Sequence, residues 1–136
     1  IEDLQDKLTI MVAEDNPVNK FLTRTILNKI AAQAKLIEVE NGEQAVAAFK
    51  KNHIDIILMD IQMPVLSGYE ATQQIRALEP KEERVPIIAL TARALKGERE
   101  RCLSYGMDDY ISKPLILEDI KAVINAFLER KKITLK

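Results

Sequence analysis

The sequence has a single cysteine, Cys102, so no disulfide can close within the chain, and no paired Cys/His spacing offers a zinc site. It lacks a surplus of either charge, with 20 basic side chains against 21 acidic ones. With no basic excess to neutralise phosphates, a nucleic-acid partner is not expected. No apolar run reaches the length of a membrane span and no secretory leader pattern opens the sequence. No direct membrane contact is therefore expected, and a reducing cytoplasm is the expected compartment. No Gly-x-x-x-x-Gly-Lys loop occurs, so the chain carries no evident nucleotide cradle. Histidine is reduced to one residue, His53, and no internal repeat or low-complexity tract is present. What is left is 136 residues of ordinary globular composition, enough for one domain with a substantial core. The first residue is Ile1 rather than Met, which leaves open a processed chain or a piece of a longer one.

The most informative stretch is Ile54-Asp55-Ile56-Ile57-Leu58-Met59-Asp60. Its branched apolar run reads as a strand buried on both faces, the kind found in parallel sheets covered by helices. It ends on a carboxylate, Asp60, before a loop marked by Pro64 and Gly68. Four further strands are expected. Leu8 to Ala13 ends in Glu14-Asp15, Ala34 to Val39 is shorter, Pro86 to Leu90 ends at Thr91, and Asp109 to Ser112 ends at Lys113-Pro114. Five helical segments alternate with them. Asn16 and Pro17 supply an N-cap and first helical residue for one whose inward stripe reads Val18, Phe21, Leu22, Thr25, Ile26 and Ile30. The second carries Ala45, Val46 and Phe49, the third Ala71, Ile75 and Leu78, and the last Ile116, Ile120, Val123, Ile124 and Phe127. The fourth, heavily charged from Lys96 to Arg101, buries little beyond Leu95, Cys102 and Leu103 and is expected to be the least stable. Residues 1–7 read as a leader or linker remnant, 8–130 as the domain, and 131–136 as a basic tail.

Alternating strands and helices call for an α/β fold, a doubly wound five-stranded parallel sheet with helices on both faces, flavodoxin-like. The strand order 2-1-3-4-5 sets the first strand beside the third and brings Glu14, Asp15 and Asp60 together. Three carboxylates on one edge repel one another, and an all-oxygen cluster suits Mg²⁺ as the offset. Thr91 adds a hydroxyl and Lys113 an ammonium at neighbouring strand ends. Such a set suits a phosphoryl group, with Asp60 as a nucleophile forming an aspartyl phosphate.

In these pieces the chain resembles the receiver domain of two-component response regulators, from about Leu8 to Phe127. The matching residues are Ala13-Glu14-Asp15-Asn16, Met59-Asp60 with Met63-Pro64 and Gly68, Leu90-Thr91-Ala92, Gly106-Met107-Asp108-Asp109-Tyr110, and Lys113-Pro114. The fuller wording is most like receivers attached to hybrid sensor histidine kinases. The resemblance implies that Asp60 is the phosphoacceptor and Asp15 a direct Mg²⁺ ligand, with Glu14 assisting and the Gln62 backbone carbonyl as a third contact. It implies that Thr91 and Tyr110 form the switch, that Lys113 pairs with Asp60 and then the phosphate, and that the Lys113-Pro114 bond is cis. Glu14 is a methylene longer than the aspartate often found there. Gln62 and Arg93 occupy variable positions and are expected to tune the phosphoryl lifetime. A histidine kinase or histidine phosphotransfer protein is the implied partner, with the domain a monomer or a phosphorylation-dependent dimer.

Plainer readings stand beside these. Glu14-Asp15 can simply favour a helix N-terminus, Thr91 can be a capping hydroxyl, Tyr110 a strand aromatic, and Cys102 a small core residue. His53 precedes the third strand, on the edge opposite Asp60, so a donor histidine has to come from another protein or domain. Two rival functions remain. One is a Mg²⁺-dependent phosphohydrolase, for which Gln62 stands where a titratable acid is needed; the other is an interaction module of the same shape that takes no phosphate.

Overall fold

The computed structural model describes residues 8–80, 82–92 and 96–129. The expected leader at 1–7, the tail at 131–136, Arg93 and Leu95 lie outside the described residues. Five strands alternate with five helices: β1 (Thr9–Ala13), α1 (Pro17–Ile30), β2 (Lys35–Val39), α2 (Gly42–Lys51), β3 (Ile56–Asp60), α3 (Gly68–Leu78), β4 (Ile87–Thr91), α4 (Glu98–Ser104), β5 (Asp109–Ser112) and α5 (Leu117–Leu128). All pairings are parallel, in the order β2-β1-β3-β4-β5. That is the expected doubly wound sheet.

Side chains alternate across it with the period of two that a pleated strand imposes. Ile10, Val12, Ile56, Leu58, Ile88 and Leu90 face one way and pack with α1 and α5, against Leu27, Ile120 and Ile124. Met11, Ala13, Ile57, Met59, Ile87 and Ala89 face the other, against Ala45 of α2, Ile75 of α3 and Cys102 of α4. Both faces are covered, which is why β3 and β4 read as unbroken apolar runs. The chain leaves β1 towards β2 and later crosses back to β3, so the two halves diverge between β1 and β3. In a sheet of this kind the crevice at the carboxyl ends of those strands is where a site forms.

Helix starts follow local chemistry. Asn16 Oδ1 accepts from the Val18 and Asn19 N–H groups at 2.9 and 3.1 Å, with Pro17 following as the first helical residue. Ser67 and Glu70 form a capping box at α3. Gly106, at φ 102, turns the chain out of α4. The inward stripe of α1 holds at Ile26 and Ile30, with Leu22 packed against the core, but fails at its N-terminal end. Val18 and Phe21 are 73% and 65% exposed, while Thr23, Ile26, Leu27 and Ile30 are buried. Thr23 accepts burial readily because its hydroxyl donates to the Asn19 carbonyl at 2.8 Å. Leu78, Leu103 and Ile116 are exposed as well, each at or beside the end of its helix, where the packed face has run out.

Candidate functional site

Glu14 and Asp15 follow β1, and Asp60 closes β3. The pairing of Ala13 with Met59 places these ends side by side. Glu14 is wholly buried and Asp60 only 5% exposed. One carboxylate oxygen from each of Glu14, Asp15 and Asp60 lies within 4.8 Å of the others. Lys113, just past β5, sends Nζ between them, 2.8 Å from Glu14 Oε1 and 3.2 Å from Asp60 Oδ2. The first contact is an ion pair without the alignment of a hydrogen bond, so Glu14 Oε1 has no directed donor. Asp60 Oδ1 accepts from the Gln62 N–H at 3.1 Å, and Glu14 Oε2 from the Asn16 N–H at 3.3 Å. Together with Asn19, Ala92 and Thr91 these residues line a hollow of about 440 Å³.

Burial, and then the neighbouring Glu14 carboxylate, push the Asp60 carboxyl up from 3.8 to about 7. Burial would raise Glu14 too, but the adjacent Asp60 carboxyl and the ammonium of Lys113 outweigh that and hold it below its ordinary range. Burial works against the Lys113 charge, yet the two carboxylates raise its pKa above normal and it stays an ammonium.

Three carboxyl groups gather around one ammonium in this hollow, and ionising all of them would leave a deficit of two positive charges. An all-oxygen donor set with a charge deficit of two fits a hard divalent cation, and Mg²⁺ above all.

Thr91, at the end of β4, is buried and lines the same hollow. Its Oγ1 donates to Glu98 Oε1 at 3.4 Å. Tyr110 is half-buried on β5, packed against the α2–α4 side of the core. The Lys113-Pro114 bond is cis, as the resemblance implies. His53 stands at the opposite edge of the sheet, with Nε2 3.2 Å from Asp55 Oδ1. Sequence reasoning singled out neither Glu98 nor Tyr69, whose hydroxyl donates to the same Glu98 oxygen. Glu98 sits in a run of charges, where nothing local separates the carboxylate that turns inward from those that do not.

Gly68 holds the loop beyond Asp60 in place. A Cβ there would run into the Asp60 carbonyl oxygen, which is backbone and cannot swing aside. Gly68→Ala is expected to lower stability by about 2–3 kcal/mol and to weaken Mg²⁺ binding by shifting Asp60. Urea midpoints and a metal titration check this, and a variant matching the parent in both would refute it.

The chain matches the response regulator receiver domain family over residues 10–125. It is 42% identical over 121 residues to hybrid signal transduction histidine kinase G of Dictyostelium discoideum, covering 89% of this chain and 4% of that protein, so it spans a small fraction of that relative's length. The solved receiver domain of sensor histidine kinase PA1611 from Pseudomonas aeruginosa PAO1, with magnesium in its active-site cleft, is 41% identical. It superposes with a TM-score of 0.80 over 90% of this chain and 98% of that one. The Saccharomyces cerevisiae Ssk1 receiver domain, crystallised with the histidine phosphotransfer protein Ypd1, is 30% identical with a TM-score of 0.75, covering 90% of this chain and 87% of that one. A parallel sheet in this strand order, an acidic hollow where its halves diverge, and a match running from β1 into α5 lead to one conclusion: the chain belongs to the response regulator receiver domain family and is most like the receivers of hybrid sensor histidine kinases.

Proposed function

We propose that this domain is a Mg²⁺-dependent phosphorylation switch that takes a phosphoryl group onto Asp60 from a phosphohistidine on another protein or domain. The observation that carries this reading is Asp60 itself, a nearly buried carboxylate at the floor of the hollow, 3.2 Å from a lysine ammonium and beside two further acids. An Asp60 carboxylate oxygen attacks phosphorus as the phosphorus–nitrogen bond breaks. The electron pair stays on the imidazole, which leaves neutral once its other nitrogen is protonated. Lys113 offsets the charge that builds on the phosphoryl oxygens. Asp15, Asp60 and the Gln62 carbonyl would hold Mg²⁺, with Glu14 assisting. When bound, the metal supplies the positive charge that keeps Asp60 ionised and screens the incoming phosphoryl group. Gln62 carries no titratable proton to drive repeated turnover, which favours a signalling domain over a phosphohydrolase.

The new group brings about −1.5 to −2 charges at neutral pH. Thr91 and Tyr110 respond to it, and a shift of this kind takes about 1–3 kcal/mol of coupling. Gln62 and Arg93 tune how long the group survives. Among the described residues no helix is long and apolar enough to cross a membrane, and the domain acts in the cytoplasm.

The partner is a histidine kinase or a histidine phosphotransfer domain, as Ypd1 is for Ssk1. Its docking face is the apolar rim at the site's edge of the sheet: Val18 and Phe21 on α1, Val65 in the loop after β3, and Ile116 before α5, all exposed. Val65 holds this place at a φ of 69, a conformation costly for a β-branched residue, which suits a position selected for what it meets rather than for stability.

Incubation with a small acyl phosphate and Mg²⁺, followed by intact mass, tests the reading. One added phosphoryl group is expected, and none once a chelator is present; equal uptake in both would refute it. Phe21→Lys is expected to slow transfer from a phosphorylated protein donor while leaving uptake from the acyl phosphate alone.

A further inference from the structure

The Thr91 hydroxyl is held by a residue outside the acidic cluster. Its Oγ1 donates to Glu98 Oε1 at 3.4 Å, and that oxygen also accepts from the Tyr69 hydroxyl at 3.4 Å. Glu98 is the first residue of α4, a helix with no side-chain cap at its N-terminus, so its carboxylate bridges to α3 and β4 instead. Tyr69 gives this bridge a firm base. Its ring is buried and stacks on Tyr105 at 4.3 Å between centroids, with the Arg101 guanidinium 5.4 Å away on the ring. Burial, reinforced by Cys102 and Glu98, raises the Tyr69 pKa, so its hydroxyl remains a donor.

A threonine hydroxyl has one hydrogen to give. Thr91 can direct it to Glu98 or to a phosphoryl oxygen on Asp60, but not to both. The bond to Glu98 is long for a hydroxyl and a carboxylate, whose usual separation is about 2.5–2.7 Å. A phosphoryl group with three strong acceptor oxygens competes well against such a contact.

We propose that Glu98 is a positioning residue for phosphoryl acceptance, acting through Thr91: it draws the hydroxyl to the α4 side in the unmodified domain and releases it when Asp60 is occupied. Release leaves Glu98 with Tyr69 as its donor, so α4 gives up this hydrogen bond to β4 while keeping the one to α3. The charge on Asp60 is thereby passed to α4 through the exchange of this hydrogen bond. This rests on the reading of Asp60 as phosphoacceptor.

The test is a titration with beryllofluoride, a phosphoryl mimic, in the presence of Mg²⁺, followed by amide NMR. The proteins are the parent, Glu98→Ala, Glu98→Gln, Thr91→Val and the Thr91→Val/Glu98→Ala double variant. Removing a competing acceptor is expected to tighten binding about fivefold in Glu98→Ala. Glu98→Gln keeps an uncharged acceptor of the same reach and is expected to fall between parent and Glu98→Ala, which provides the readout should the alanine variant fold poorly. In the Thr91→Val background the Glu98→Ala effect is expected to vanish, an outcome that a merely structural role for Glu98 would not produce. Unchanged or weaker binding in the folded Glu98 variants overturns the proposal. So does a gain that persists without the Thr91 hydroxyl. If the parent itself binds no beryllofluoride and takes no phosphoryl group from an acyl phosphate, the phosphoacceptor reading falls, and this proposal with it.

Discussion

Asp60→Asn is expected to end phosphoryl uptake and, in metal-free buffer, to make the folded domain more stable. The first effect follows because an amide cannot serve as the nucleophile, and intact mass after acyl phosphate treatment measures it. The second follows from burial. Folding takes the Asp60 carboxyl from an ordinary 3.8 to about 7, chiefly by desolvation and then by the neighbouring Glu14. Below the lower value the group is protonated in both states and costs nothing. Between the two values the folded domain holds a proton that the unfolded chain has released, and stability declines as pH rises. Above about pH 7 the cost is complete, on the order of 2–4 kcal/mol for a shift of this size in a coupled pair. Asparagine avoids that cost and retains an oxygen for the Gln62 N–H. Urea unfolding at about pH 8 is expected to favour the variant, with the gap closing towards about pH 4. Mg²⁺ is expected to narrow the gap at the higher pH, since it stabilises the parent by binding its folded state. A variant less stable than the parent at about pH 8 without metal would show that Asp60 is not held under strain.

Lys113→Ala is expected to produce the opposite balance. Lys113 Nζ is the cation 2.8 Å from Glu14 and 3.2 Å from Asp60, and the Glu14 carboxylate it faces is wholly buried. Losing one partner of a buried pair costs about 3–5 kcal/mol when the other stays charged. Here Asp60 can take a proton, so about 2–3 kcal/mol is expected at about pH 8 in chelator, with less at lower pH as protonation becomes easier. Mg²⁺ should restore much of that stability, because a divalent cation meets the same charge deficit. It should not restore the rate of phosphoryl uptake, expected to fall about 10²–10³-fold for want of one preorganised positive group. Denaturation with and without Mg²⁺, beside a phosphorylation time course, separates the two effects. Full recovery of the rate with metal would mean that Lys113 serves the fold alone.

The sequence by itself was enough for much of this. The double-sided apolar run of β3, the acids that end β1 and β3, the Asn16-Pro17 helix start and the lysine before Pro114 are local signals, and the motifs they belong to are specific in combination. Local signals fail where the outcome depends on which neighbour arrives. The apolar residues of α1 suggested an inward stripe from Val18 to Ile30, which holds at Ile26 and Ile30, yet the core took Leu27 and a self-satisfied Thr23 and left Val18 and Phe21 exposed near the site. Helical spacing limits which residues share a face but does not say where along it the packing ends. Glu98 was unreadable for a related reason. In the run from Lys96 to Arg101 every charge looks solvated, and only the packing of α4 against Tyr69 and Thr91 distinguishes one carboxylate from the rest. The acidic hollow belongs to both levels. Sequence determined that the ends of β1 and β3 carry carboxylates. That they meet was decided by β1 pairing with β3, an arrangement held by burying both faces of one sheet rather than by anything within either strand.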